Sequence, residues 1–177
     1  MFVLGKALNG IKSGRAGVIP YIYDKGTDEL FFLLGLDKKA KELTDFGGGV
    51  KNGETALMAA CREFQEESRS LFDERYYNIN NYIKYISLSD NEMSILFLPV
   101  GKRWFEQAKI SFEKNESIKK TDEMSIVEWH NLDSFCDLSF NPKKTKMWRK
   151  VQKFLITNIG EVRRLDFIDM LKFMYDE

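Results

Sequence analysis

The sequence predicts an α/β fold in which a mixed β-sheet lies between helices. Three observations support it: β-rich apolar segments stand before and after a segment with helical periodicity, turn residues separate them, and further helical segments end the chain. The length of 177 residues is that of one ordinary domain. We therefore expect a single domain over residues 1–177, with a core over about 16–135 and a C-terminal helical extension over about 141–176.

The first two strands are predicted from a pair of β-rich segments, AGVIPYIY at 16–23 and LFFLLGL at 30–36. The turn residues DKGTD between them predict a hairpin. The glycine-rich stretch at 44–49 that follows has the composition of a loop. From Thr55 onward, apolar residues recur with the spacing of one helical stripe, which predicts a helix of about four turns. The stripe consists of Leu57, Ala60, Cys61 and Phe64.

The second half of the chain continues this alternation. Segments 80–88 and 93–100 predict two strands, and 125–129 predicts another. We expect a short helix over 104–109 and a turn or short helix over 132–135. These elements would complete the mixed sheet around the central helix.

Two helices are predicted at the C-terminal end. Asn141 and Pro142 form an N-cap and first-turn pair, and Gly160 is expected to end that helix. A last helix should run from Glu161. The apolar stripe of the first of these helices consists of Met147, Trp148, Val151, Phe154 and Leu155.

The composition excludes several classes of protein. Hydrophobic residues make up 44% of the chain, with 14 Phe, which argues against intrinsic disorder. Lys plus Arg total 27 and Asp plus Glu total 27, so no overall positive charge draws the molecule onto nucleic acid or anionic membrane. The apolar runs are far shorter than the roughly 20 residues that cross a bilayer, and the N-terminus has no signal-peptide pattern. We expect a soluble, cytoplasmic protein with no membrane partner.

Cysteine and histidine are too few to provide the usual metal sites. The two cysteines, Cys61 and Cys136, cannot form a disulfide framework. The one histidine, His130, cannot complete a zinc site with them at any usual ligand spacing. Metal chemistry in this chain would therefore depend on carboxylates.

The clearest chemical signal is the segment 47–68, GGGVKNGETALMAACREFQEES. On a helix, Glu63, Glu66 and Glu67 share one face beside the apolar stripe. Like charges at this spacing destabilise an isolated helix by about 0.2–0.5 kcal/mol per pair, so the face is unfavourable unless a cation lies there. Mg²⁺ takes oxygen ligands and completes its shell with waters and substrate phosphates. Glycines before the helix would let the backbone approach both metal and phosphate.

A solvated acidic helix face is the more common explanation for three glutamates alone. The glycines and the arginine at fixed distances change that judgement. Six fixed letters coincide by chance in a chain this short in well below about one case in 10⁴. We therefore interpret the segment as a functional site.

Residues 48–70 resemble the Nudix box, G-x5-E-x7-R-E-U-x-E-E-x-G-U, in which U is apolar. The resemblance implies a Nudix-like α/β/α sandwich and a hydrolase that cleaves a phosphoanhydride bond in nucleoside diphosphate-linked substrates by attack of a metal-activated water on phosphorus. It also implies Mg²⁺ or Mn²⁺ as cofactor. The final G-U of the box is Arg69 and Ser70 here, and Phe46 stands where many members have proline. We expect these departures to change how the helix ends while every carboxylate is kept.

The resemblance assigns roles position by position. Arg62 would orient the carboxylates by ion pairing and is counted with the catalytic residues Glu63, Glu66 and Glu67. Glu54 would also brace the loop against the helix. Contacts with the substrate are expected at Lys39, Phe46 and Gly48. The implied metal ligands are Gly47 through its carbonyl, Glu54 through water, Glu63, Glu66 and Glu67.

The general base of this family often lies outside the box, on a loop before a late strand. Glu123, in TDEMSIVEW, is the candidate here, followed by Glu116 and Glu128. An ordinary surface glutamate is an equally good interpretation of Glu123. Trp104 and Trp129 are candidates for stacking on a base, although aromatic residues after strands more often belong to a core.

Three functions stay open at this point. The first is a hydrolase of small nucleotides or other diphosphates, with its substrate class and oligomeric state undefined. The second is an mRNA decapping hydrolase, for which a basic helix face would follow the RNA backbone. The third is a non-catalytic nucleotide-binding module, which would not require all three box glutamates. The basic face consists of Lys143, Lys146, Arg149, Lys150 and Lys153.

Overall fold

The computed structural model of the chain describes residues 3–4, 13–73, 86–90, 92–117, 122–141 and 146–165. Its strands are β1 (Val3–Leu4), β2 (Arg15–Asp24), β3 (Glu29–Asp37), β4 (Leu43–Thr44), β5 (Phe46–Gly49), β6 (Ile86–Ser89), β7 (Met93–Pro99) and β8 (Met124–Asn131). Its helices are α1 (Ala56–Glu67), α2 (Trp104–Lys114), α3 (Leu132–Phe140), α4 (Arg149–Thr157) and α5 (Ile159–Val162).

The strands of the described residues form one mixed sheet with β2 near its centre. The order is β1-β6-β7-β2-β3-β4, with β5 paired to β2 and β8 paired to β3. β2 and β3 form the predicted antiparallel hairpin. β2 is parallel to β7, with Val18 opposite Leu96. The prediction of a mixed sheet is confirmed.

Side chains alternate along the strands and build a core on each face of the sheet. On β2, Val18 packs on the face that α1 and α2 cover, whereas Ile19 packs on the face that α3, α4 and α5 cover. Both side chains are fully buried. Burying one such side chain stabilises the fold by about 1.5–3 kcal/mol. The result is the predicted α/β/α sandwich, and α4 and α5 of the C-terminal extension pack on the same sheet.

Helix α1 starts and packs as the sequence predicts, and it has 12 residues. Thr55 is the N-cap, and its hydroxyl accepts a hydrogen bond of 3.2 Å from the backbone N–H of Met58. Leu57 and Phe64 are buried against the sheet. The missing box glycine does not prevent the usual ending, because Arg69 and Ser70 take the left-handed conformation themselves, with φ of 56° and 52°.

The glycine-rich stretch is a pair of strands, so the prediction of a loop was wrong. β4 pairs with β3, and β5 pairs with the start of β2, where Gly17 stands opposite Gly47. A Cβ at Gly17 would lie 2.8 Å from the Cα of Gly47 and 2.9 Å from the carbonyl oxygen of Phe46. The two backbones can approach this closely because neither residue has a side chain. The same lack of side chains removed the usual strand signal from the sequence.

Several predicted helix boundaries were also wrong. α2 extends to Lys114 and α3 to Phe140, which makes both longer than expected. α4 begins at Arg149 because Lys146 and Trp148 hydrogen-bond to β4. The backbone N–H of Leu43 donates to the carbonyl of Lys146 at 2.6 Å, and the backbone N–H of Trp148 donates to the carbonyl of Leu43 at 2.8 Å. Backbone groups that pair with a strand are not available to a helix.

Gly160 lies inside α5, and α4 ends at Thr157 instead. Pro142, Lys143 and the predicted helix beyond residue 165 lie outside the described residues, as does most of the strand predicted over 80–88. Among the helices that the structure describes, none combines the length and the apolar character needed to cross a bilayer.

The close approach of β2 and β5 predicts that Gly17→Ala is strongly destabilising. The new methyl group would overlap the backbone of β5, and such overpacking costs about 1–3 kcal/mol. We expect the melting temperature to fall by about 2–10 °C. Gly49→Ala is the control, because a Cβ there meets nothing within 4 Å. Equal melting temperatures for the two variants would contradict the packing described here.

Candidate active site

The acidic face of α1 lies against the glycines of β5. Glu63 and Glu67 are buried, and the side chain of Glu66 is 19% exposed. The backbone N–H of Gly47 donates to Glu67 Oε2 at 2.7 Å. A Cβ at Gly48 would lie 2.5 Å from the carboxyl carbon of Glu63, so glycine is required for this contact. The carboxylates of α1 thus pack directly against the backbone of β5.

Arg62 is the centre of an ion-pair network at the start of this face. Its Nε donates to Glu54 Oε1 at 2.7 Å, and its Nη2 donates to Glu54 Oε2 at 2.9 Å. Its Nη1 pairs with Glu63 Oε1 and lies 3.6 Å from Glu66 Oε2. Its Nη2 also donates to the carbonyl of Gly49 at 3.1 Å. These contacts are those that the implied orienting role of Arg62 and bracing role of Glu54 require.

The same network shifts the pKa values of its members. The hydrogen bonds from Arg62 lower the pKa of Glu54 to about 2. The bond to Glu54, with the charge of Glu63, raises the pKa of Arg62 against the effect of burial. Both groups are therefore charged across the whole physiological range of pH.

The pKa of Glu67 is shifted in the opposite direction to that of Glu54. Burial raises the pKa of Glu67 to about 9, and the charges of Asp45 and Glu63 act in the same direction. The N–H of Gly47 opposes this shift only in part. A side-chain hydrogen bond between Glu67 and Glu123 also raises the pKa of Glu67. Glu67 therefore holds a proton at neutral pH unless a cation lies beside it.

The structure therefore brings Glu123 to the box. Glu123 directly precedes β8, and both it and Glu67 line the same cavity. Of the two other candidates for the base, Glu116 is exposed beyond the end of α2. Glu128 lies on β8, with its Oε2 3.3 Å from His130 Nε2.

Arg15 and Asp45 form a buried ion pair that sequence analysis missed. Arg15 Nη1 donates to Asp45 Oδ2 at 2.8 Å, and Arg15 Nη2 donates to Asp45 Oδ1 at 2.6 Å. The Nη2 group also donates to the carbonyl of Gly47 at 3.1 Å. Burial would lower the pKa of Arg15, but the charge and hydrogen bonds of Asp45 outweigh it and raise that pKa. Asp45 lies between β4 and β5, in the stretch that the sequence predicted to be a loop, so no local pattern indicated this pair.

A cavity of about 350 Å³ opens beside these groups. Its lining includes Glu67, Glu123 and the glycines of β5, together with Arg15 and Trp148. The guanidinium of Arg15 lies 4.8 Å from the centroid of the Trp148 ring. Because Trp148 directly precedes α4, the C-terminal extension contributes to the cavity wall.

The three residues predicted to contact the substrate differ in their position relative to the cavity. Phe46 is fully buried and packs on Phe64, with ring centroids 5.7 Å apart. Its side chain has no surface with which to contact a substrate, so this prediction was wrong. Gly48 lines the cavity. Lys39 is exposed on the turn between two residues that line the cavity, Asp37 and Ala40, which places it at the rim.

The two tryptophans considered for base stacking belong to the core. Trp129 Nε1 donates to the carbonyl of Trp104 at 3.0 Å, and both rings pack against the cluster between the sheet and α2. Trp148, which the sequence placed on a buried helical stripe, is the tryptophan at the cavity.

The donor atoms at this site fit a hard divalent cation. They are carboxylate oxygens and the carbonyl of Gly47, which are the ligand types that Mg²⁺ and Mn²⁺ prefer. Within the described parts of the chain, no three acidic, cysteine or histidine side chains converge as they stand on one point that could hold an ion. Arg62 accounts for part of this, because it pairs with Glu63. The contact between Glu67 and Glu123 is the place where a positive charge would stabilise the site most.

Comparison with solved structures identifies the fold. RenU, a Nudix hydrolase from M. smegmatis, matches over 88% of this chain and 90% of its own, with a TM-score of 0.53 and 12% sequence identity. The chain therefore has the Nudix fold, which confirms the fold that the box resemblance implied.

Two further Nudix structures were found. A Nudix hydrolase from Listeria monocytogenes matches over 88% of this chain and 97% of its own, at 15% identity and a TM-score of 0.49. An Ap4A hydrolase from C. elegans matches over 84% of this chain and 96% of its own, at 16% identity and a TM-score of 0.48. No family sequence model matches the chain, and no curated protein does.

The pKa of Glu67 predicts that the metal-free protein loses stability as pH rises from 6 to 8. A carboxyl whose pKa rises from 4.5 in the unfolded chain to about 9 in the folded one binds a proton only in the folded state between those values. The full stabilisation exists below pH 4.5 and is lost towards pH 9. One pH unit corresponds to at most about 1.4 kcal/mol.

We therefore expect the melting temperature in EDTA to fall by about 3–8 °C between pH 6 and pH 8. Glu67→Gln should flatten this dependence, because its amide does not titrate. Equal slopes for the wild-type protein and Glu67→Gln would show that Glu67 is not the titrating group.

Proposed function

We propose that this chain is a divalent-metal-dependent hydrolase of the Nudix type. It would cleave a phosphoanhydride bond in a substrate built from a nucleoside diphosphate linked to another group. The observation that supports this best is the cluster of Glu63, Glu67 and Glu123 beside the glycines of β5, next to a cavity, in a chain with the Nudix fold.

In this proposal the carboxylates of α1 hold Mg²⁺ or Mn²⁺, with Glu54 acting through water. The bound ion supplies positive charge for the phosphates and lowers the pKa of the attacking water. Arg62 keeps Glu54 ionised, and its hydrogen bonds hold both Glu54 and Glu63 in position. Gly47 offers its carbonyl oxygen to the same site and its N–H to Glu67.

Glu123 is the proposed general base. A base must lie within hydrogen-bonding reach of the proton it accepts. Glu123 lines the cavity, is exposed to solvent and contacts Glu67, so it could accept a proton from a water bound beside that carboxyl group. Proton transfer to Glu123 would accompany in-line attack at phosphorus, and the products would be a nucleoside monophosphate and a phosphorylated remainder.

The cavity is the proposed substrate site. Its volume of about 350 Å³ suits a small molecule. Trp148 lines the same cavity, and its ring, with Arg15 at 4.8 Å and Lys150 at 5.8 Å from its centroid, is the aromatic group proposed to stack on a base. Lys39 at the rim would contact the outer phosphate. The domain assignment of the sequence, a core with a C-terminal extension, agrees with this proposal because the extension supplies Trp148.

The decisive assay is a substrate panel measured with Mg²⁺, with Mn²⁺ and in EDTA. The panel comprises nucleoside triphosphates, nucleotide sugars, dinucleoside polyphosphates, inositol pyrophosphates and capped RNA. We expect metal-dependent turnover to be fastest on a small nucleoside diphosphate-linked compound. Fastest turnover on capped RNA, falling steeply with salt, would favour decapping instead. Saturable nucleotide binding without turnover would favour a binding module.

Charge removal at the box should abolish turnover without unfolding the protein. We expect Glu66→Gln and Glu67→Gln each to lower kcat by at least about 10²-fold, because a ligand to the ion loses its charge. The control is Glu113→Gln, which changes an exposed glutamate on α2. Circular dichroism would verify the fold of all three variants. Wild-type kcat in a Glu66→Gln, Glu67→Gln double variant would reject the catalytic assignment.

Loss of the Trp148 ring should weaken substrate binding more than it slows turnover. Stacking on a base contributes about 1–3 kcal/mol, so we expect Trp148→Ala to raise KM by about 5- to 150-fold. Trp148→Phe should retain most of the affinity. Phe140→Ala removes an aromatic side chain that is exposed on α3 and serves as the control. An unchanged KM in Trp148→Ala would place the substrate elsewhere.

A further inference from the structure

Arg69 occupies the box position at which the resembled pattern has glycine, and it does so in the backbone conformation of glycine. Its φ is 56°, in the left-handed region. A residue with a Cβ is less stable there by roughly 1–2 kcal/mol, whereas glycine adopts this conformation without strain. Contacts of the Arg69 side chain must therefore compensate for the strain of its backbone.

The guanidinium of Arg69 is held on several sides. Nη2 and Nε donate to the two carboxylate oxygens of Asp122 at 2.6 and 3.3 Å. Nη1 donates to the carbonyl of Phe112 at 3.0 Å, and Nη2 also donates to the carbonyl of Met124 at 3.2 Å. The group lies 4.1 Å from the centroid of the Phe112 ring, and the side chain is 13% exposed. A forked, charge-assisted contact of this kind fixes geometry as well as adding energy.

Two of the residues that accept hydrogen bonds from Arg69, Asp122 and Met124, are the neighbours of Glu123 in the sequence and define the segment 122–124. A second cation holds the same segment, because Lys38 Nζ pairs with Asp122 and Lys38 N–H donates to the carbonyl of Glu123 at 2.8 Å. The backbone of Glu123 is thus held from both directions. Its side chain is directed to the cavity, where it meets Glu67.

Arg69 follows Glu67 by two residues at the end of α1. One side chain therefore connects the end of the helix that carries Glu67 with the segment that carries Glu123. Glycine at this position would end the helix equally well but could not make that connection.

We propose that Arg69 is a positioning residue for hydrolysis, which holds Glu123 at its distance from Glu67. The proposal rests on the function proposed above. It makes the departure from the box pattern a functional feature of this chain: a residue that merely ends the helix is replaced by one that ends the helix and orients the base.

Arg69→Gly separates the two roles, because it restores an unstrained helix end and removes the side chain. We expect kcat to fall by about 10- to 10²-fold, since displacement of a catalytic group by about 1 Å has effects of this size. KM should stay within about threefold, because the substrate side of the cavity is unchanged. Arg69→Lys should recover part of kcat, because lysine can pair with Asp122 but lacks the planar, forked donor group that makes the four hydrogen bonds of Arg69.

Two comparisons make this result specific. Ser70→Gly is the matched control: Ser70 has φ of 52° and lies next to Arg69, so the variant relieves the same strain without touching the guanidinium network. Its kcat should equal that of the wild type. Arg69→Gly should change kcat and the pH–kcat profile in the same direction as Glu123→Gln. The Arg69→Gly, Glu123→Gln double variant should have the kcat of Glu123→Gln alone, because both changes remove the same contribution, that of Glu123.

Hydrogen exchange of residues 122–125, followed by mass spectrometry, provides a readout that does not depend on activity. We expect Arg69→Gly to speed exchange in this segment by about 10-fold or more, with β2 unchanged and with wild-type exchange in Ser70→Gly. Unchanged exchange in Arg69→Gly would overturn the proposal, as would a wild-type kcat and pH profile. If the wild-type chain hydrolyses nothing in the panel, the proposed function fails, while exchange still decides whether Arg69 holds this segment.

Discussion

The structure of the site depends on how buried charge is balanced where α1 meets β5. Charges away from water are tolerated only when they are paired and hydrogen-bonded. Two arginines meet this requirement from opposite sides, Arg15 through Asp45 and Arg62 through Glu54 and Glu63. Glu67 lies between these pairs and receives the N–H of Gly47. Burial and the neighbouring carboxylates therefore make ionisation of Glu67 unfavourable unless a further cation lies beside it.

Close backbone packing makes this balance possible. Gly17 and Gly47 let β5 lie against β2, and the absence of a Cβ at Gly48 leaves space for the carboxylate of Glu63. The segment before α4 pairs with β4, and Trp148 in that segment lines the cavity. The groups proposed to act on phosphate and the group proposed to recognise a base thus come from separate parts of the chain, which meet across one sheet.

Local patterns in the sequence predicted the hairpin, α1 and its acidic face, because each depends on residues only a few positions apart. The same reasoning failed for β5, since strand signals come from side chains that glycine lacks. It also failed for Phe46, whose burial is decided by Phe64 on another element. The pair of Arg15 and Asp45 spans 30 residues and leaves no periodic trace. Glu123 was found only through the resemblance; its place beside Glu67 agrees with that expectation, and its role stays a prediction.

The elevated pKa of Glu67 has a consequence for how a metalloenzyme with this site would respond to its surroundings. Protons and divalent cations compete for the same oxygen atoms, so each ion that binds must release a proton to the solvent. Apparent affinity for the ion then increases in alkaline solution and decreases on acidification. A modest fall in pH would then reduce occupancy even at constant concentration of the ion, so that occupancy would depend on both quantities together.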